Sequence, residues 1–340
     1  MSTSAPASEP VSTPGPLDYP VPPSLAGSTT TGTLPAFDSL PLYYTRYHPP
    51  PTVPTRATVV YLHGFVDHMG PYARMLTLFA ARGVEAIAFD QRGFGKTAAA
   101  GKGGFKKNYT DTEWALQFRD ARSVIEEQSR WVGEKYGEGK IKLFVMGHSM
   151  GGGITAALFT RSPDSPEGKH LAGVTSLVTG GAVLWSPWIT LTVPPPSLLV
   201  SLLKLVLRVW PSVKYDAGLN VKEITRDPEE QRRLDEDEYA DPWTRVKSIA
   251  GPLEGGPKIV TDGYRYFMAN EVPLLALHGE EDKITSPEGS KKLVQLLKEG
   301  GAKDVEWKGY PKALHSLMLD IDGIPKDSIN YAIDWILARA

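Results

Sequence analysis

The stretch Ile141-Lys142-Leu143-Phe144-Val145-Met146-Gly147-His148-Ser149-Met150-Gly151 decides how this chain is read. Residues 141–146 form an apolar run of strand length, and residues 154–160 have the composition of a helix. Between them stands G-x-S-x-G. A serine on so sharp a strand-to-helix turn is lifted out of the sheet with its hydroxyl exposed. Small residues on either side let neighbouring backbone pass close to it. Such a serine becomes a nucleophile only when a base takes its proton and a third group orients that base.

Outward from this turn, strand-like and helix-like segments alternate. Residues 40–48, 57–63, 84–90, 141–146, 174–179, 273–278 and 305–310 read as strands. Residues 71–81, 112–136, 150–160, 287–298 and 326–340 read as helices; the first opens on Pro71 and stops at Gly83. Buried apolar strands alternating with helices predict an α/β fold, a mostly parallel central sheet with helices on both faces. The alternation breaks over residues 185–270, which carry prolines at 194–196, a dense apolar helix and an acidic helical run at 227–239. This segment is expected to be an inserted, mainly helical cap at the carboxyl ends of the strands, where ligands of open α/β sheets sit.

Composition narrows the class. A net charge of −2 over 340 residues gives no electrostatic footprint for nucleic acid. With no cysteine, disulfides, thiolate metal sites and a cysteine nucleophile are excluded. Residues 1–35 are rich in Ser, Thr, Pro, Ala and Gly, and the first basic residue is Arg46, so no secretory signal is legible. This segment is expected to be a disordered tail, with residues 36–340 as one domain. No apolar stretch reaches the roughly 20 residues that span a bilayer.

The base is sought among His48, His63, His68, His148, His170, His278 and His315. His148 adjoins Ser149 but should point away on a tight turn, and His63 and His278 stand in His-Gly pairs that shape turns. His315 follows the last strand and is the histidine placed last in the order Ser…Asp…His that this architecture uses. The acid should come from His278-Gly279-Glu280-Glu281-Asp282, at the end of a strand between Ser149 and His315. Asp282 fits, with Glu280 and Glu281 as neighbours. The oxyanion donors are expected to be the N–H of Met150 and an N–H within His63-Gly64-Phe65-Val66, where Phe65 follows the turn. Two other patterns carry no chemistry. Gly95-Lys96-Thr97 ends like a phosphate loop, but Asp90 stands where its first glycine belongs, and Asp90–Gly95 reads as a structural turn. No H-E-x-x-H spacing for a metal occurs.

Taken together, His63-Gly64-Phe65-Val66-Asp67-His68, Asp90-Gln91-Arg92-Gly93-Phe94-Gly95, Gly147-His148-Ser149-Met150-Gly151-Gly152, His278-Gly279-Glu280-Glu281-Asp282 and His315 resemble the monoglyceride lipase branch of the α/β-hydrolases, the yeast-type fungal members above all. Asp216-Ala217-Gly218-Leu219 with Ile224-Thr225-Arg226-Asp227, and Thr285-Ser286-Pro287-Glu288-Gly289-Ser290-Lys291, extend the resemblance over residues 40–340. It implies the α/β-hydrolase fold and cleavage of a monoacylglycerol to fatty acid and glycerol, with no cofactor or metal. It implies Ser149 as nucleophile, Asp282 as acid, His315 as base, and the N–H groups of Phe65 and Met150 as oxyanion donors. The chain departs from the animal enzymes at Asp67, where they carry Glu, and at Pro71, where they carry Arg. Both lie near the polar headgroup end, so Asp67 is expected to touch substrate. After His315 the chain reads Ser316-Leu317, where an acidic or apolar pair is more usual.

Within the cap, residues 197–210 follow three prolines and place Ser197, Ser201, Lys204 and Arg208 on one narrow helical stripe; nearly all else is Leu, Val or Trp. Such a helix either packs into the core or lies in a membrane surface. For an enzyme of insoluble lipids the second is expected, with Leu202 and Leu205 meeting acyl chains and Lys204 and Arg208 at headgroup level. The expected setting is intracellular and cytoplasmic, peripheral on lipid droplets or endoplasmic membranes, with no nucleic-acid partner. A lysophospholipase or broad carboxylesterase shares the same site, and a non-catalytic lipid- or partner-binding protein shares the scaffold.

Overall fold

Edge pairing opens the sheet: β1 (Thr29–Pro35) runs antiparallel to β2 (Pro41–Tyr47). The computed structural model describes residues 15–210, 212–269 and 272–340, apart from the side chains at positions 197, 199, 204, 208, 268 and 269. There follow β3 (Ala57–Leu62), α1 (Ala73–Ala81), β4 (Val84–Phe89), α2 (Trp114–Tyr136), β5 (Lys142–His148), α3 (Met150–Thr160) and β6 (Gly181–Trp185). An insertion carries α4 (Ser197–Val209), the short ribbon β7 (Lys214–Asp216) and β8 (Trp243–Arg245), α5 (Pro228–Asp235) and α6 (Val246–Lys258). The sheet resumes with β9 (Leu274–Gly279), α7 (Pro287–Glu299), β10 (Val305–Tyr310) and α8 (Ile324–Leu337).

The strand order is β1-β2-β4-β3-β5-β6-β9-β10, parallel from β4 onward. In β3 every residue is buried, and alternate side chains enter two different cores. Val60 and Leu62 belong to the core that α2, α3 and α7 also enter, while Val59 and Tyr61 belong to the core shared by α1 and α8. Burial on both faces is why these strands read as continuous apolar runs.

Two expectations are corrected. Residues 174–179 do not form a strand: Val174–Leu177 is a short helix, and the strand is Gly181–Trp185. A Cβ on Gly180 would stand 2.3 Å from the Phe144 ring, and Gly181 has φ +134°. The glycine pair that looks like a break in sequence is what lets the strand enter beside β5. The tail ends earlier than position 35. Thr29–Pro35 is an edge strand, Leu17 exchanges hydrogen bonds with Asn330, and Tyr19 donates to the Met318 carbonyl. A threonine-rich run gains strand character from its partner, which composition does not record. Residues 1–14 of the expected tail lie outside the described residues.

The insertion reaches the loops at the carboxyl ends of the strands. Asp237 accepts from His68 Nε2 at 2.8 Å, Asp241 N–H donates to Tyr109 Oη at 3.1 Å, and the Ile224 carbonyl accepts from Ser316 N–H at 2.8 Å. Beneath it α6 lies close to α2: a Cβ on Gly251 would stand 2.6 Å from Trp114 Cβ, and one on Gly255 would stand 2.5 Å from the Trp114 ring.

Candidate active site

Ser149 sits between β5 and α3 with φ 53° and ψ −118°, a left-handed conformation that a serine rarely adopts. The flanking glycines follow from close backbone approach. A Cβ on Gly147 would stand 2.2 Å from the Gly151 carbonyl oxygen, and one on Gly151 would stand 2.2 Å from that of Leu62. The turn is held by Ser149 N–H donating to Trp185 and by the Ser149 carbonyl accepting from Trp188. Met150 opens α3, so its N–H has no acceptor within the helix. The Phe65 N–H likewise has no backbone acceptor among the described residues. The Phe65 ring is buried edge-on between Phe94 and Trp188.

Asp282 lies on the loop after β9 and His315 on the loop after β10, with His315 Nδ1 and Asp282 Oδ2 at 2.7 Å. An ionised carboxylate only accepts, so Nδ1 carries the proton and Nε2 is left as the basic nitrogen. Asp282 Oδ1 accepts from the N–H groups of Ile284 and Thr285, at 2.7 and 3.0 Å. Oδ2 also takes the Thr285 hydroxyl at 2.9 Å. Burial by itself raises the Asp282 pKa, but His315 and His278 beside it outweigh burial and hold the carboxyl far below its usual range. Glu280 and Glu281 are exposed and bond no histidine among the described residues. Ser149 Oγ and His315 share no hydrogen bond among the described residues, as is common before substrate draws the two together.

Three groups beyond the expected set complete this cluster. His278, read as a turn residue, is fully buried; its Nε2 faces Asp282 Oδ2 at 3.1 Å and its Nδ1 faces Ser290 Oγ at 2.8 Å. The acid therefore stands between two imidazoles. His148 lies against His315 with ring centroids 4.8 Å apart, its Nε2 3.3 Å from the His315 carbonyl and its Nδ1 3.0 Å from Tyr72 Oη. Burial, then the neighbouring His315, pushes the His148 pKa well down and keeps it neutral. Tyr72 in turn donates to Asp67 Oδ2 at 2.6 Å. No sequence spacing signals these contacts, because each joins segments that are adjacent only after the strands pair.

Asp67 belongs to the same network. Its Oδ2 also accepts from Gly64 N–H at 3.0 Å and its Oδ1 from His68 N–H at 2.7 Å, so the carboxylate holds the loop bearing Phe65. Burial raises its pKa. His63 keeps its structural role, donating from Nδ1 to the Gly64 carbonyl and accepting the Gln91 N–H at Nε2. Burial lowers its pKa to about 3. Asp90 accepts the N–H groups of Met69 and Lys96, as a turn residue does.

Leu202 and Leu205 are 54% and 59% exposed on the outer side of α4, in line with Leu198 at 81% and Val209 at 59%. They face solvent. The inner side, Val200, Leu203 and Leu207, faces Val246, Ile249 and Leu253 of α6. The side chains of Lys204 and Arg208 lie outside the described residues. Among the described residues no helix is long and apolar enough to cross a membrane, and no group of three or more His, Asp or Glu could hold a metal ion.

Comparisons with known proteins place the chain in a family. The model of the Hydrolase_4 family, described as "Serine aminopeptidase, S33", matches residues 53–322. The monoglyceride lipase of Saccharomyces cerevisiae is 29% identical over 286 residues, 83% of this chain and 84% of the yeast protein. The crystal structure of a soluble variant of the Saccharomyces cerevisiae monoglyceride lipase, in complex with a substrate analog, superposes with a TM-score of 0.76 at 25% identity, covering 97% of this chain and 99% of that one. The monoacylglycerol lipase of Paleococcus ferrophilus gives a TM-score of 0.69 at 26% identity, covering 88% and 99%. An eight-stranded α/β sheet, a strained serine elbow and a buried Asp–His pair in the matched segment lead to one conclusion: the chain belongs to the Hydrolase_4 family of α/β-hydrolase serine hydrolases.

Proposed function

We propose that the protein hydrolyses monoacylglycerols to fatty acid and glycerol through an acyl-enzyme on Ser149. The observation that carries the reading is the buried 2.7 Å bond between Asp282 and His315, on neighbouring strand-end loops at the same end of the sheet as the elbow. The likeness to lipases named for this substrate supports the substrate class. His315 Nε2 takes the Ser149 proton as Oγ attacks the ester carbonyl, and the N–H groups of Phe65 and Met150 receive the oxyanion. Collapse breaks the ester C–O bond, and the alcohol leaves with the proton from His315. Water, deprotonated by His315, then attacks the acyl-enzyme, and Ser149 recovers its proton as the fatty acid departs. Asp282 keeps Nδ1 protonated and offsets the imidazolium charge in both halves.

The outer stripe of α4, Leu198, Leu202, Leu205 and Val209, continued by Trp210, is the surface that meets the lipid aggregate. This exposed apolar face favours an aggregated lipid over a freely soluble ester. Lysophospholipids share that physical state and would use the same triad. Parallel turnover of monoolein, a lysophospholipid and a short-chain ester, with Ser149→Ala as control, decides between them. Preferred turnover of monoolein, lost in Ser149→Ala, is expected. Preference for the lysophospholipid would replace the substrate, and no labelling of the wild type by a fluorophosphonate would replace the enzyme with a binding protein.

A further inference from the structure

The motif Ile224-Thr225-Arg226-Asp227 belongs to the insertion, yet among the described residues its hydrogen bonds to segments outside the insertion go to the loop that carries His315. The Ile224 carbonyl accepts the N–H of Ser316, the residue after His315, at 2.8 Å. On the other side, the N–H of Leu314 donates to Asp320 Oδ2 at 3.1 Å, and Asp320 Oδ1 accepts Arg226 Nε at 2.9 Å and Arg226 N–H at 3.3 Å. Thr225 Oγ1 donates to the Leu319 carbonyl at 2.6 Å across 94 residues of chain, and Arg226 Nη1 reaches Asp322 at 3.1 Å. Both amides that flank His315 therefore end on the same turn, one directly and one through Asp320. The turn is itself built to be stiff. Asp227 caps α5 by accepting the N–H groups of Glu229 and Glu230, and Gln231 Nε2 donates to the Thr225 carbonyl at 2.8 Å.

We infer that the Ile224–Arg226 turn of the insertion is a positioning element for His315, so that the placement of the insertion and the placement of the base are one structural variable. Arg226 touches neither substrate nor the reacting atoms; it acts through Asp320 and the backbone on either side of the base. This rests on the reading of His315 as the base. A shift of the imidazole by about 1 Å is enough to lower turnover about a hundredfold.

The test is turnover of a soluble short-chain ester, which needs no lipid surface, by the full chain carrying Arg226→Ala, Arg226→Lys or Asp320→Asn, with melting temperature measured alongside. Arg226→Ala and Asp320→Asn are expected to lower kcat about tenfold to a hundredfold with KM changed little. Fluorophosphonate labelling should slow in parallel, because it also needs the base. Arg226→Lys, which keeps a charge but one donor head, should recover part of the loss. The double variant Arg226→Ala/Asp320→Asn should be no worse than either alone, since both act through one contact. Wild-type kcat in folded Arg226→Ala or Asp320→Asn, or a change confined to KM or melting temperature, overturns the inference. If Arg226→Ala does not fold, Asp320→Asn, which keeps the side-chain shape, decides. Ser149→Ala and His315→Ala separate the two levels. Should they keep turnover, the hydrolase reading fails; should they lose it while Arg226→Ala and Asp320→Asn do not, only the positioning inference fails.

Discussion

Two helices of nearly equal length and similar apolar content have opposite fates in this molecule. In α3, which follows the elbow, all eleven residues are buried. In α4, within the insertion, one side packs on α6 while Leu198, Leu202, Leu205 and Val209 stand in solvent. The difference lies in the neighbours. The sheet, α2 and the insertion enclose α3, so every apolar group finds a partner. At α4 the inner side has α6 as its partner, and the outer side is covered by no element among the described residues. An apolar residue in α3 therefore serves stability, and one on the outer stripe of α4 adds little to it.

The sharpest break of this comparison removes chemistry and leaves both helices intact. Ser149→Ala should lower kcat on the order of 10⁴-fold or more while the urea midpoint stays within the error of the wild type. Next comes a polar group placed inside α3. Ile154→Ser, at a fully buried position, should destabilise the fold by about 4 kcal/mol in denaturant titrations, from lost packing and an unpaired hydroxyl. The matched change on the outer stripe of α4 should behave in the opposite way. Leu202→Ser with Leu205→Ser should alter stability by no more than about 0.5 kcal/mol per site and leave short-chain ester turnover unchanged. Co-sedimentation with liposomes should fall about tenfold to a hundredfold; unchanged sedimentation would remove α4 from the lipid surface.

A further effect concerns pH. His63 has a folded pKa of about 3, below the ordinary value of 6.5 that it regains on unfolding. Below pH 6.5 the unfolded chain binds a proton that the folded chain refuses. Stability from this site is therefore complete above pH 6.5 and is lost as pH falls toward 3, by up to about 1.4 kcal/mol per pH unit. His63→Gln, which can keep a donor and an acceptor, should flatten the urea midpoint profile between pH 6 and 4 by about that slope. An unchanged slope would show that His63 is already charged in the fold.

Much of this was legible along the chain. The elbow, Asp282 and His315 stand at strand ends in an order that one architecture uses, and each is marked by local signals: an apolar run, a glycine, a turn. Where local signals mislead, the reason is physical. Val174, Thr175, Val178 and Thr179 carry β-branched side chains and look like a strand, but the strand belongs to Gly181–Trp185, where Gly180 before it and Gly181 at its start remove the Cβ atoms that would strike Phe144 and the Pro273 carbonyl. Asp67 looks like a free carboxylate beside the site until Gly64, His68 and Tyr72 occupy both of its oxygens.

By itself the sequence determined which residues could do chemistry and in what order they meet the sheet, because hydrophobic period, turn glycines and residue type act over a few neighbours. Tertiary structure alone decided what stands behind those residues: His278 on the far side of Asp282, His148 against the base, and an insertion turn holding both amides beside His315. It also decided which face of α4 is left uncovered. Those contacts join segments distant in sequence, and only the pairing of strands and the closing of the insertion bring their partners within hydrogen-bond reach.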